Sequence, residues 1–348
     1  MLNLIKPPML KPGDTVATVS SSWGGAGDEE INWRYFQGKE RLEKVFGLKV
    51  VEMPNTLKGT DYVYNHPERR AEDLMQAFAD PSIKGIISCI GGSDSIRLLP
   101  YINFDVIRNN PKVVTGYSDS TVTHFFCLKA GISSFYGLSL LNDFAENIKM
   151  SDYTEQWARK VLFSGAPIGE IPVSKEYTAQ RLEWKIENKN VARKFEANTD
   201  YELLQGRETV TGRLIGGCLE VMDMIKGTSL FPELSDFDDA ILFLETSEEM
   251  PPVWLLEDSL RSYGMMGIFN RINGLIFGKP YKGKFYEEYK SVIRLILAEF
   301  GKENLPVLYN ASFGHNEPKC LLPYGAMAEI SCEKPGFAIL ESGVEVFS

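Results

Sequence analysis

Val113-Val114-Thr115-Gly116-Tyr117-Ser118-Asp119-Ser120 is the stretch on which the fold turns. A short β-branched run, favourable to a pleated strand, ends in glycine. A serine follows two residues later, and Thr121–Ala130 then reads as the start of a helix. A strand that turns sharply into a helix belongs to α/β architectures. A serine on such a turn points its oxygen away from the backbone, with helix N–H groups nearby to receive negative charge. An acyl-transfer nucleophile needs that setting, so Ser118 marks where to look for a catalytic site.

Outward from this turn, strand-like and helix-like segments alternate over the first ~150 residues. Thr15–Ser20 is a β-rich run that leads into the small-residue loop Ser21–Gly27. A helical pattern extends to about Phe46, a strand is expected at Leu48–Met53, and Pro67–Ala79 reads as a helix with proline in its first position. Ile83–Ile90 has the composition of a buried strand and stops at Gly91-Gly92; Ser134–Tyr136 is a further strand. Such alternation implies parallel pairing in an open sheet. Residues 173–210 are polar and mixed, with Trp184 among charges, and read as a connector or flap. A second α/β unit follows: strand Thr209–Ile215, a turn at Gly216-Gly217, and a helix to Ile225. Strand Ala240–Leu244, helix Val253–Tyr263, strand Ile272–Phe277, helix Glu287–Phe300 and strand Pro306–Tyr309 continue it. Ala326–Phe347 alternates in short runs and predicts antiparallel strands. The expected division is residues 1–165, a connector at 166–208, and residues 209–348.

Composition narrows the function classes. The chain has 348 residues, is 44% hydrophobic and 24% charged, and carries a formal net charge of −10. An acidic chain without a Lys/Arg block has no electrostatic reason to bind nucleic acid or an anionic membrane. No apolar run approaches the ~20 residues needed to cross a bilayer. The stretch Met1–Pro8 has no signal-type apolar region, so a cytoplasmic protein is expected. Five cysteines (Cys89, Cys127, Cys218, Cys320, Cys332) are far apart without C-x-x-C spacing. That suggests reduced, buried thiols rather than a metal site or disulfide framework.

A serine nucleophile needs a base, and the chain has three histidines. His124 lies six residues beyond Ser118 on the following helix, about 9 Å along its axis, on a different face. His66 precedes Pro67, where helix entry is its expected role. His315 sits in Asn310–Pro318, a Gly- and Pro-containing loop after a strand, and is the base candidate by elimination. Its carboxylate partner would be Glu245, at the end of an apolar strand where α/β sites gather residues. Alone, a solvated strand-end charge is the commoner reading, and Glu248 and Glu249 are rivals. The order Ser118, Glu245, His315 matches that of strand-turn-helix hydrolases. Oxyanion donors would be the N–H of Asp119 and one from Gly91 or Gly92, although a glycine pair can equally be an ordinary tight turn. Neither G-x-G-x-x-G nor a Walker A run is present. Ser120 also departs from the last position of G-x-S-x-G.

Taken together, these residues resemble serine peptidase family S66, the LD-carboxypeptidases and microcin C self-immunity peptidases. Ile90–Ser95 with Leu98-Leu99-Pro100, Gly116–Asp119, Leu244-Glu245, Gly314-His315 with Pro318, and Leu322–Gly325 carry the likeness, joined by Gly212–Gly217. The resemblance implies a Ser118–Glu245–His315 triad and no cofactor or metal. It implies an N-terminal Rossmann-like parallel-sheet domain, a C-terminal swivelling-type α/β domain with the active site between them, and a homodimer. The loop Gly91–Ser95 and the insertion bearing Trp184 favour the microcin-immunity branch, whose substrates are peptidyl or aminoacyl nucleotides. A muramoyl-tetrapeptide LD-carboxypeptidase is the alternative, and a non-catalytic small-molecule binder a third. In the favoured branch an aromatic of the insertion stacks on adenine, which makes Trp184 a candidate. Stacking on a flat base suits an exposed tryptophan, as does capping an apolar patch. Ser93, Asp94 and Tyr117 complete the candidate substrate contacts.

Overall fold

The structure, a computed structural model, describes residues 2–346; Met1 and Phe347 of the segments above lie outside them. Five parallel strands form the first sheet: β1 (Thr15–Val19), β2 (Lys49–Glu52), β3 (Ile83–Ser88), β4 (Val113–Gly116) and β5 (Phe135–Tyr136), in spatial order β2-β1-β3-β4-β5. β1, β3, β4 and β5 are buried along almost their whole length, whereas in the edge strand β2 only Val50 is. In such a doubly wound sheet, ligands gather beyond the carboxyl ends of the strands, where the order reverses. Here the reversal lies between β1 and β3, and the loops leaving them are Ser20–Gly27 and Cys89–Asp94.

After β5 the chain passes through a helix at Asp152–Leu162, then the short strand β6 (Gly169–Glu170). The polar connector folds on itself as a two-stranded ribbon, β7 (Glu176–Tyr177) against β8 (Glu196–Ala197). The second sheet adds β9 (Glu202–Gln205), β10 (Val210–Cys218), β11 (Ala240–Glu245), β12 (Gly274–Gly278) and β13 (Val307–Ala311). Strand β14 (Leu322–Pro323) crosses back and pairs antiparallel with β5, stitching the far end of the chain into the first sheet. Finally β15 (Met327–Ser331) and β16 (Gly336–Ile339) supply the antiparallel strands expected of the tail, and β6 pairs with β16 at the edge. β10 to β13 are mutually parallel. β11 is the clearest case: its apolar run Ala240–Leu244 is buried throughout, as it must be when helices cover both faces, and the terminal Glu245 is buried with it.

Gly216-Gly217 differs from the expected turn. β10 runs through both glycines to Cys218, in register with β11 up to Glu245. The pair is needed for close approach: a Cβ on Gly216 would stand 1.7 Å from the Phe243 carbonyl oxygen, and one on Gly217 2.6 Å from Thr121. The glycines thus let β10 carry the second sheet against the helix that follows Ser118. That helix, Thr121–Ala130, is buried along its whole length except at Lys129, because it is packed between the two halves of the molecule. Thr121 Oγ1 donates to the Ser118 carbonyl (2.7 Å) and accepts from the Cys218 N–H (3.2 Å), a direct bridge between the nucleophile turn and the second sheet.

Candidate active site

The carboxyl ends of both parallel sheets open onto one cavity of about 970 Å³. Ile90–Ser93 and Tyr117–Asp119 line it from the first half, Cys218, Glu220, Ser247–Glu249, His315 and Glu317 from the second, and Thr178–Trp184 from the connector.

Ser118 sits at φ +61° on the turn between β4 and the following helix. That conformation is uncommon for a side chain bearing a Cβ and is found where a site holds the backbone. Gly91 makes the turn possible: a Cβ there would lie 2.9 Å from Ser118 Cβ, 3.2 Å from its Oγ and 3.4 Å from the Asp119 nitrogen. Gly92, at φ +153°, could not carry a Cβ either, since Ser22 Oγ would be 2.2 Å away. The Asp119 side chain is fully buried; its Oδ2 accepts from Ser22 Oγ (2.5 Å) and from the Ser95 N–H (2.9 Å), fixing the turn from below.

From the other side, His315 Nδ1 lies 2.7 Å from Glu245 Oε2. The second oxygen, Oε1, accepts from Tyr136 Oη, which in turn accepts the Ser118 N–H at 3.1 Å. A continuous chain of hydrogen bonds therefore runs from the backbone of Ser118 through Tyr136 and Glu245 to His315. Gly314 allows the loop to close on the carboxylate: its φ is +96°, and a Cβ would stand 2.7 Å from Glu245 Oε2. The His315 and Glu245 side chains are 5% and 1% exposed. Burial disfavours the imidazolium, but Glu245 and then Glu248 outweigh it and push His315 up to about 10. Glu248 Oε2 lies 2.9 Å from His315 Nε2, out of line with the ring N–H direction, so Nε2 has no aligned hydrogen-bond partner. Burial likewise opposes the charge on Glu248, but His315 and Arg181 hold its carboxyl down at about 2. Tyr117 packs edge-on against the imidazole, centroids 5.0 Å apart, and Lys319 lies 4.1 Å over the tyrosine ring while pairing with Asp143 at 2.9 Å.

The other two histidines are placed elsewhere. His124 is fully buried between Ser134 Oγ and the Gly116 carbonyl, both at 2.9 Å, and burial lowers it to about 4. His66 precedes the helix Pro67–Ala79, with Nδ1 2.8 Å from the Tyr62 carbonyl.

Of the candidate substrate contacts, Ser93, Tyr117 and Trp184 line the cavity and Asp94 does not. The Asp94 carboxylate is occupied: Arg70 grips it at 2.8 and 3.1 Å and Arg97 at 2.8 Å, which makes it the anchor of its loop. Trp184 stacks on Trp23 (centroids 6.2 Å, 24°), with the Arg34 guanidinium 4.8 Å above its ring. Trp33 holds the segment by donating Nε1–H to the Trp184 carbonyl (3.1 Å). Sequence reasoning missed Trp23, Arg34 and Tyr136. Trp23 lies in the small-residue loop after β1, at the sheet's switch point, a position that offered a signal; Tyr136 in a short apolar strand offered none. The five cysteines are all buried and free, as expected. Among the described residues no cluster of His, Cys, Asp and Glu could hold a metal ion, and no helix is long and apolar enough to cross a membrane.

The sequence profile of the LD-carboxypeptidase N-terminal domain of family S66 matches residues 16–137, and that of the LD-carboxypeptidase C-terminal domain matches residues 211–330. The microcin C7 self-immunity protein MccF of Escherichia coli is 28% identical over 336 residues, covering 95% of this chain and 94% of that protein. A Bacillus subtilis protein named as a probable murein peptide carboxypeptidase is 24% identical over 345 residues, covering 97% of this chain and 95% of its own length. Among solved structures, an MccF-like protein from Streptococcus pneumoniae in complex with AMP superposes with a TM-score of 0.86 at 34% identity, covering 94% of this chain and 98% of that one. MccF in complex with aspartyl sulfamoyl adenosine gives 0.84 at 27% identity, over 98% of this chain and all of that one. With both profiles matched in order on either side of the cavity, the chain belongs to peptidase family S66, the LD-carboxypeptidase family, and is similar over almost its whole length to microcin self-immunity proteins.

Proposed function

We propose that this protein is a serine carboxypeptidase that hydrolyses a terminal amide through Ser118, His315 and Glu245, acting on aminoacyl- or peptidyl-nucleotide substrates. The observation that carries the reading is the hydrogen-bonded chain from Ser118 N–H through Tyr136 and Glu245 to His315, built around a serine at positive φ on the cavity wall. His315 Nε2 takes the Ser118 proton as Oγ attacks the carbonyl carbon of the scissile amide. Glu245 fixes the tautomer by accepting from Nδ1–H and stabilises the imidazolium. The oxyanion is received by the N–H of Asp119 and a donor from the Gly91-Gly92 backbone. His315 then gives its proton to the leaving amine, and water, deprotonated by the same nitrogen, clears the acyl-enzyme.

The nucleotide preference rests on the aromatic wall. Trp184 and Trp23 present flat apolar faces, Arg34 lies over the Trp184 ring, and the similar proteins include one in complex with AMP and one in complex with aspartyl sulfamoyl adenosine. Similarity to the murein peptide carboxypeptidase keeps a second reading in play, release of a terminal D-alanine from a cell-wall tetrapeptide. Incubation of the protein with an aminoacyl sulfamoyl adenosine, and separately with the tetrapeptide, followed by mass spectrometry, separates them. Cleavage of the first and not the second supports the nucleotide reading; the converse supports the murein one. Equal turnover of either by Ser118→Ala refutes the catalytic assignment.

A further inference from the structure

Glu248 stands where a triad has no use for a second carboxylate. His315 Nε2 must be free to accept the proton of Ser118, yet Glu248 Oε2 lies 2.9 Å from it while Glu245 holds Nδ1 at 2.7 Å. An imidazole flanked by two carboxylates is stabilised as the cation, and a cationic histidine cannot act as a base. The other oxygen of Glu248 is gripped by Arg181 at 2.7 Å. Arg181 belongs to the connector, whose residues 178–184 form one wall of the cavity and carry Trp184. The carboxylate is thus shared between the base and a segment that any occupant of the cavity must touch.

We propose that Glu248 is a positioning residue of the reaction: in the free protein its carboxylate lies beside His315 Nε2 as a counter-charge, out of hydrogen-bond alignment, and favours the protonated base, while Arg181 competes for that carboxylate. The inference rests on the reading of His315 as the base. The charged and titratable groups around the imidazole are few. Glu245 comes from β11, Glu248 from the loop after it, and Tyr117 from the nucleophile turn. Behind Tyr117 stands Lys319, paired with Asp143, and Arg193 pairs with Glu317 and Glu146 at the cavity edge. Of these only Glu248 faces Nε2. Removing its charge lowers the proton affinity of His315, whereas removing Arg181 leaves Glu248 to His315 alone and raises it.

The test is direct because the chain has only three histidines. Histidine labelled with 13C and 15N is followed by NMR over pH in the substrate-free wild type, Glu248→Gln, Glu248→Asp and Arg181→Ala, with His315→Gln assigning the resonance. The expected result is a His315 midpoint lower by about one pH unit or more in Glu248→Gln and higher in Arg181→Ala. It is partly restored in Glu248→Asp and insensitive to Arg181→Ala once Glu248 is Gln. The acidic limb of kcat/KM, which reports the free enzyme, moves the same way in each variant. If His315→Gln retains wild-type turnover, the triad itself is wrong. If His315→Gln is inactive but Glu248→Gln leaves both midpoint and limb unmoved, the triad stands and the role of Glu248 is refuted.

Discussion

Gly91→Ala offers a sharp probe of the site because the three atoms nearest the added Cβ belong to Ser118 and to the Asp119 N–H. The new Cβ would sit 2.9 Å from Ser118 Cβ, 3.2 Å from Oγ and 3.4 Å from the nitrogen of Asp119. The Ser118 contacts are at or below the closest approach that Cβ atoms ordinarily make, so either Ser118 or the Ile90–Ser93 loop must give by a few tenths of an ångström. Overpacking of this size costs about 1–3 kcal/mol of stability, which the rest of the two-sheet core can absorb. The catalytic cost is larger. The methyl group crowds both the attacking oxygen and the proposed Asp119 oxyanion donor, at 3.2 and 3.4 Å, and loss of one such donor lowers kcat by about 10²–10³-fold. The assay pairs kcat on an aminoacyl sulfamoyl adenosine, with the rate of Ser118 labelling by a fluorophosphonate as a substrate-independent check, against thermal unfolding. The prediction is a loss of about 10²-fold or more in both rates in a protein that still unfolds cooperatively within a few degrees of wild type. A folded Gly91→Ala protein with rates within about threefold of wild type would refute the placement of the oxyanion beside Gly91.

Other expectations follow from the same geometry. Glu245→Gln keeps the shape but presents an amide to both Tyr136 and His315, so kcat should fall by about 10⁴-fold, the cost of a mis-set tautomer, with KM little changed in steady-state kinetics. His315 titrates higher in the folded protein, at about 10, than its unfolded value of about 6.5. Its contribution to stability is therefore complete below about pH 6.5 and lost as pH rises towards 10. The melting temperature of wild type should fall across that window more steeply than that of His315→Gln. Trp184→Ala removes one face of the aromatic wall, and base stacking contributes about 1–3 kcal/mol. KM for a nucleotide substrate should rise by roughly tenfold, while hydrolysis of a peptide lacking the base is unaffected. Lys319→Met strands the Asp143 carboxylate, 2% exposed, and should destabilise the protein by about 3–5 kcal/mol in denaturant titrations.

Much of this molecule can be read from its residues, and what cannot be read has a common cause. The strand-turn-helix at Ser118, the apolar strand ending at Glu245 and the loop of His315 are local patterns, each written in a few consecutive residues. The alternation of strand and helix gives the parallel sheets for the same reason. Relations between distant segments are not written locally. Tyr136 bridges Ser118 and Glu245 from a two-residue strand of purely apolar appearance. Trp23 meets Trp184 across 161 positions, and Leu322–Pro323 leaves the second half to pair with the first. Gly216-Gly217 reads as a turn because glycine pairs usually are turns. Only the closeness of the Phe243 backbone and of Thr121 explains why the strand passes straight through them. Asp94 reads as an available carboxylate because its buried partner Arg70 lies 24 positions away; only Arg97, three residues on, is a local counter-charge.

With Ser118 as nucleophile and His315 as its base, turnover passes through an aminoacyl ester on Ser118. Intact-protein mass spectrometry after mixing with an aminoacyl sulfamoyl adenosine and rapid acid quenching tests it most directly. A transient adduct of the aminoacyl mass is expected, mapped to Ser118 by peptide digestion, absent in Ser118→Ala and strongly diminished in His315→Ala. An adduct on another residue, or undiminished product release by Ser118→Ala, would contradict it.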